Sequence, residues 1–155
     1  MLAVIFKDNR DLAMLMLRIS FGSVFALYGW VHLQILPGYI DFYASINVPA
    51  PEIMAPVVAW LEFIGGIAVI LGLLSRYFGL LLAVIMVVSA TTVRIPAALA
   101  DSPDFLGLVS VGGNPTWNLD FLLFSIGLAL VFMGPGKFAL DMLFFKSERV
   151  YPKED

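Results

Sequence analysis

Cysteine is absent from this 155-residue chain. That excludes disulfides, thiol redox chemistry, thiolate zinc sites and iron–sulfur clusters ligated by the chain itself. Histidine occurs once, at His32, so a multi-histidine metal site or a bis-histidine haem would need a partner chain, and no metal site is expected. Charged residues are scarce, 14% of the chain against roughly 25% in a soluble domain. There is no basic excess either: the net charge of −3 excludes a nucleic-acid-binding surface. Phosphate-binding glycine loops, Ser/His/Asp sets and metal-ligand spacings are missing. No internal repeat is evident.

What is present is apolar. Hydrophobic residues make up 61%, and the mean hydropathy is +0.94. So little charge cannot cover the surface of a soluble protein, which points to a multi-pass protein of the cell (inner) membrane, with the lipid bilayer as its first partner. The N-terminal MLAVIFKDNRD has no basic region ahead of its apolar residues and no small-residue cleavage site. The first hydrophobic segment is therefore expected to stay as an anchor.

About 20 apolar residues span a bilayer. The segments that qualify are Leu12–Leu36, ended by Pro37-Gly38; Ala55–Leu74, ended by Ser75-Arg76; Tyr77–Ile95, ended by Pro96; and Trp117–Met133, ended by Gly134-Pro135-Gly136. The expected fold is all-α, a four-helix transmembrane bundle forming one domain, 1–155. The second and third spans form a tight hairpin. Residues 37–54 and 96–116 read as long loops, and Tyr39, Phe42 and Tyr43 suggest a segment at the interface or an ordinary loop. The run KFALDMLFFKSERV, within 137–150, is amphipathic and basic. It is expected to lie on the cytoplasmic surface, or to dock a partner.

Basic residues set the orientation. Lys7, Arg10 and Arg18 lie at the N-terminal side, Arg76 in the hairpin, and Lys137, Lys146, Arg149 and Lys153 at the C-terminal side. The other loops carry Asp41, Glu52, Asp101 and Asp104, with Arg94 at one edge. Both termini are therefore expected in the cytoplasm.

Within these spans the ionisable residues stand out. Glu62 lies inside APVVAWLEFIGGIAVILGLL, where a carboxylate costs about 2.5–3.5 kcal/mol at the bilayer centre. With a rise of about 1.5 Å per residue, the orientation puts Tyr28, His32, Glu62, Arg94 and Asp120 in the same outer half. Tyr28 and His32 are four apart and share a helix face. Arg94 and Asp120 sit near helix ends, where headgroup contact is the alternative; Tyr28 and Trp30 also fit an aromatic belt. Arg18 is expected to snorkel to cytoplasmic headgroups or to reach inward to Glu62. The glycines Gly22, Gly65, Gly66, Gly72 and Gly79 either let helices approach or leave room for a flat ligand beside Glu62.

The strings Leu61-Glu62-Phe63-Ile64-Gly65-Gly66 and Leu71-Gly72-Leu73-Leu74-Ser75-Arg76 resemble the second-helix signature of the DoxX/DoxD-like membrane proteins. Gly134-Pro135-Gly136-Lys137-Phe138-Ala139-Leu140-Asp141 is similar to that family's C-terminal element. Leu17-Arg18-Ile19 with Gly22 and Phe25 fits its first helix, and Val48-Pro49-Ala50-Pro51 its first loop. The resemblance covers nearly the whole chain and implies a four-helix membrane bundle. It also implies kinship with the membrane subunit of a thiosulfate:quinone oxidoreductase and with redox-stress complexes. Family members often have His-Gly where this chain has Tyr28-Gly29, and a Lys near His32; Arg18 and Glu62 match directly.

Two functions follow as expectations. One is a membrane subunit of a quinone-linked redox complex, with Glu62 as the catalytic proton donor and Arg18, Tyr28, His32, Arg94 and Asp120 as ligand-binding residues. Its ligand is a quinone, with no covalently bound cofactor; its partners are other membrane or redox subunits, and electrons come from a partner or directly from a substrate. The alternative is a non-catalytic structural or assembly subunit of a larger membrane complex. A small transporter ranks last, because four helices enclose little volume.

Overall fold

The computed structural model describes residues 10–101 and 117–141. Lys7, the Asp101 side chain, Asp104, Lys146, Arg149, Lys153 and residues 142–150 of the expected amphipathic segment lie outside the described residues. Within them every regular element is helical: α1 Arg10–Gln34, α2 Leu36–Ser45, α3 Pro51–Leu71, α4 Ser75–Ser89, α5 Ile95–Asp101 and α6 Asn118–Met133. A π-helical turn, Ala90–Arg94, joins α4 to α5. Among the described residues, three helical stretches are long and apolar enough to cross a membrane: Arg10–Gln34, Pro51–Leu71 and Ser75–Ala100. Asn118–Met133 is a shorter apolar helix.

Two boundaries differ from the sequence expectation, both at prolines. Pro37-Gly38 does not open a long loop; Pro37 occupies the first turn of α2, where its missing N–H costs nothing and its fixed φ suits a helix start. The aromatic run 39–43 is therefore helical. Pro96 likewise does not end the third helix, which continues to Asp101. In a regular α-helix the Pro96 ring would clash with the carbonyl four residues back. The wider π turn directly before it, closed by Ile95 N–H bonding to the Ala90 carbonyl, absorbs that conflict.

The helix pairs meet through small residues. α1 packs most extensively on α3, and α4 on α6; α3 also touches α4, and α1 touches α6. A Cβ on Gly22 would lie 2.5 Å from the Gly66 carbonyl oxygen, and one on Gly66 would strike the Ala26 backbone. Gly127 faces Ala83 and the Gly79 carbonyl in the same way. Such close approach gains dispersion contacts, the main attraction between helices in lipid. Between the pairs lie Phe21, Phe25, Val69, Leu82, Leu123 and Leu130, all buried. A Gly66→Leu substitution is expected to separate α1 from α3 and destabilise the protein by about 1–3 kcal/mol or more, read as a lowered melting temperature in detergent.

One end of the molecule is closed by the segment after α6. α3 ends in a Schellman motif: Gly72 adopts φ +77°, Gly72 N–H bonds to the Val69 carbonyl and Leu73 N–H to the Ala68 carbonyl. Leu140 N–H then donates to the Leu71 carbonyl, and Asp141 N–H to the Gly72 carbonyl. The Asp141 carboxylate accepts from Leu74 N–H at 2.8 Å, placing negative charge at the N-terminus of α4, where the helix dipole favours it. Lys137 pairs with Asp11 at 3.0 Å. Gly134, at φ +77°, packs against the Arg76 guanidinium. The Leu71–Arg76 and Gly134–Asp141 strings thus form one contact, built at the turn between α3 and α4.

Candidate functional site

At the other end, the ionisable residues of the helices converge. α1 contributes Tyr28 and His32, one turn apart. α3 contributes Glu62, the π turn contributes Arg94, and the first turn of α6 contributes Asp120. All five line one cavity of about 350 Å³, within the usual range for small-molecule sites. The sequence placed these residues at one depth; the fold brings them around one space.

Glu62 is 4% exposed. His32 Nδ1 lies 2.7 Å from Glu62 Oε2, a charge-assisted distance. With its proton on Nδ1, His32 donates to the carboxylate, and its other ring nitrogen remains for a second partner. The imidazole also stacks on Tyr39, with centroids 4.0 Å apart and planes 7° from parallel. Carboxylate and phenol ring together fix its orientation. Tyr28 stands 6.1 Å from His32, ring to ring, on the cavity wall.

α2 supplies the part of the site that the sequence reading did not assign to it. Tyr39, Phe42 and Tyr43 line the cavity. Tyr39 is buried, and its hydroxyl lies 3.1 Å from that of Tyr43. Burial pushes both phenols above their usual range, and the Glu62 charge pushes the same way. Both therefore stay protonated, as hydrogen-bonding hydroxyls, at neutral pH. The signal available was the spacing 39, 42, 43, which is one helix face once Pro37 is read as a helix start.

The opposite wall is polar as well. Ser89, Thr92 and Arg94 line it together with Asp120. Asp120 is 4% exposed, and Arg94 Nε lies 3.8 Å from its Oδ2, an ion pair too long for a hydrogen bond. The π turn belongs here too: π turns are frequent at functional sites, and this one carries Thr92 and Arg94 to the cavity. Val24, Phe25, Val58, Ile85 and Leu123 complete an apolar lining. Among the described residues, no group of three or more His, Asp or Glu side chains could hold a metal ion.

Arg18 is not part of this cavity. It neither snorkels nor reaches Glu62. It is fully buried at the closed end, where Nη2 donates to the Phe138 carbonyl at 3.0 Å and Nη1 abuts Gly72. The carbonyl-rich C-terminus of α3 and the nearby Asp141 charge account for a guanidinium there. Gly65 and Gly66 also stay out of the cavity: Gly65 faces Phe78 and Leu82, and Gly66 faces α1. They serve helix approach. Trp30 is half exposed and packs on Phe63 with ring centroids 5.7 Å apart and planes tilted by 40°, on the outer surface of the α1–α3 pair.

Long apolar helices with ionisable side chains buried among them define a multi-pass helical membrane protein. Its sequence matches the DoxX family over residues 13–95. The chain is 30% identical over 139 residues to the Bacillus subtilis (strain 168) protein named "putative oxidoreductase CatD", covering 90% of this chain and 92% of that one. It is 28% identical over 141 residues to the inner membrane protein YqjF of Escherichia coli (strain K12), covering 90% of this chain and 98% of that one. No solved structure matches the chain significantly. The protein belongs to the DoxX family and is a multi-pass protein of the cell (inner) membrane.

Proposed function

We propose that this protein is the membrane-integral subunit of a quinone-linked redox complex, and that the cavity between α1, α2, α3 and the π turn receives the quinone head group. The observation that carries the reading is the cavity itself: a buried carboxylate–imidazole pair, Glu62 and His32, beside flat aromatic and apolar walls. Quinone reduction takes up two electrons and two protons. Glu62, hydrogen-bonded to His32, takes up a proton and passes it to the quinone, and Tyr28 hydrogen-bonds a ring oxygen. No electron-transfer centre can be ligated by cysteine here, so the electrons come from a partner subunit or co-substrate. The relative named as an oxidoreductase supports the same class of chemistry.

In this reading α1, α3, the α4–π–α5 stretch and α6 are the four spans of a single domain. Arg10, Arg76 and Lys137 cluster at the closed end with Asp11 and Gly134. By the positive-inside rule that end faces the cytoplasm, and the cavity then lies in the outer half. Arg94 is the cation best placed to meet an anionic co-substrate.

A second reading is supported by the same Glu62–His32 contact, which could serve only to lock α3 to α1 in a non-catalytic assembly subunit. Purification in mild detergent separates the two. Quinone recovered with the protein, and lost on competition with a water-soluble quinone analogue, is the expected result. Stable co-purification with a redox complex, with no quinone bound to this subunit, would overturn the first reading in favour of the second.

A further inference from the structure

The two polar ends of the cavity differ in what they leave unsatisfied. At the α1–α3 end, Glu62 Oε2 already has a hydrogen-bond partner, His32 Nδ1, at 2.7 Å. At the π-turn end, Asp120 Oδ2 is buried and, among the described residues, has no hydrogen-bond partner. Arg94 lies 3.8 Å from that oxygen. Ser89, from α4, also reaches the Asp120 carboxylate, without satisfying Oδ2. Buried polar atoms are normally paired, and a buried acceptor without a donor costs free energy. Asp120 is on the cavity wall, so a bound molecule can supply the donor.

That requirement selects among ligands. An ionised carboxylate accepts hydrogen bonds and donates none. A ligand carbonyl facing Oδ2 would meet oxygen with oxygen; a ligand hydroxyl would donate to it. The same cavity is lined by the aromatic rings of Phe25, Tyr39 and Phe42 and by apolar Leu123. We infer that the cavity preferentially holds an aromatic diol, the hydroquinone state, with one hydroxyl donating to Asp120 Oδ2. This rests on the quinone reading above and adds the redox state that the site favours. A tailed membrane hydroquinone and a small water-soluble aromatic diol share this chemistry.

The test uses the full-length protein in lipid nanodiscs under anaerobic conditions, with duroquinol and duroquinone as ring-matched probes. Duroquinol is expected to bind at least about tenfold more tightly, a difference of about 1.4 kcal/mol. In Asp120→Asn, whose amide can both donate and accept, the preference is expected to fall to about threefold or less. Equal or tighter binding of duroquinone would overturn the inference and leave the quinone site standing. Binding of neither would overturn both. A tenfold preference that survives Asp120→Asn would also overturn the role of Asp120; if that variant does not fold, the wild-type comparison decides. A decyl-tailed hydroquinone that binds more tightly than duroquinol supports a membrane source, and the reverse order a soluble one; both uphold the diol assignment.

Discussion

Replacing Glu62 with Gln is expected to weaken quinone binding by about tenfold or more, and to slow quinone turnover in the assembled complex by about 10²–10⁴ fold. The substitution keeps size and shape. The amide oxygen of the new side chain can still accept from His32 Nδ1, so the link between α1 and α3 survives. What disappears is the carboxylate's ability to take up a proton and pass it on. Because a buried carboxylate is costly to insert, the melting temperature is expected to stay level or rise. The contrast separates the two functions: a structural clamp predicts unchanged ligand binding and turnover, because the link to His32 survives, and a proton donor predicts weakened binding and slowed turnover at undiminished stability. Binding is read by titration of a soluble quinone against protein in nanodiscs, and stability by thermal melting of the same sample.

Arg18→Leu is expected to produce the largest loss of stability among single substitutions outside the cavity, about 2–4 kcal/mol. The guanidinium is fully buried and donates to a carbonyl 120 positions away. Its loss leaves the Phe138 carbonyl unpaired and opens a void beside Gly72. The Gly134–Asp141 segment should then detach, and limited proteolysis should cut there first. Arg18→Lys restores charge but not the forked geometry, so it should recover only part of the stability. Quinone affinity of the folded fraction should be unchanged in both variants. If affinity falls while stability holds, Arg18 is a ligand-binding residue, as its sequence setting first suggested.

Much of the cavity was legible in the sequence because membrane insertion makes polar residues conspicuous. Glu62 stands out within an apolar run, and helical rise converts the positions of Tyr28, His32, Arg94 and Asp120 into depth. The four-residue spacing of Tyr28 and His32 set their shared face. Four things were not legible, each for a physical reason. Pro37 can stop a helix or start one, and only the tertiary setting decides; reading it as a stop hid α2 and with it the Tyr39–Tyr43 wall. Pro96 has the same ambiguity, resolved by a π turn that no local pattern announces. Arg18 has its partner in a segment far along the chain, and one buried cation gives no direction. The family-like strings at Leu71–Arg76 and Gly134–Asp141 were visible as strings, but their mutual contact was not.

The most direct test of the central claim is photolabelling. The protein, in native-lipid nanodiscs, is irradiated with an azido-quinone, and the labelled peptides are mapped by mass spectrometry with and without excess unlabelled quinone. Competed labelling is predicted on cavity-lining residues, above all Tyr28, His32, Tyr39, Phe42, Thr92 and Leu119. Labelling that is confined to exposed apolar residues such as Leu27, Val57 or Phe132, or that excess quinone does not suppress, would contradict a quinone site in this cavity.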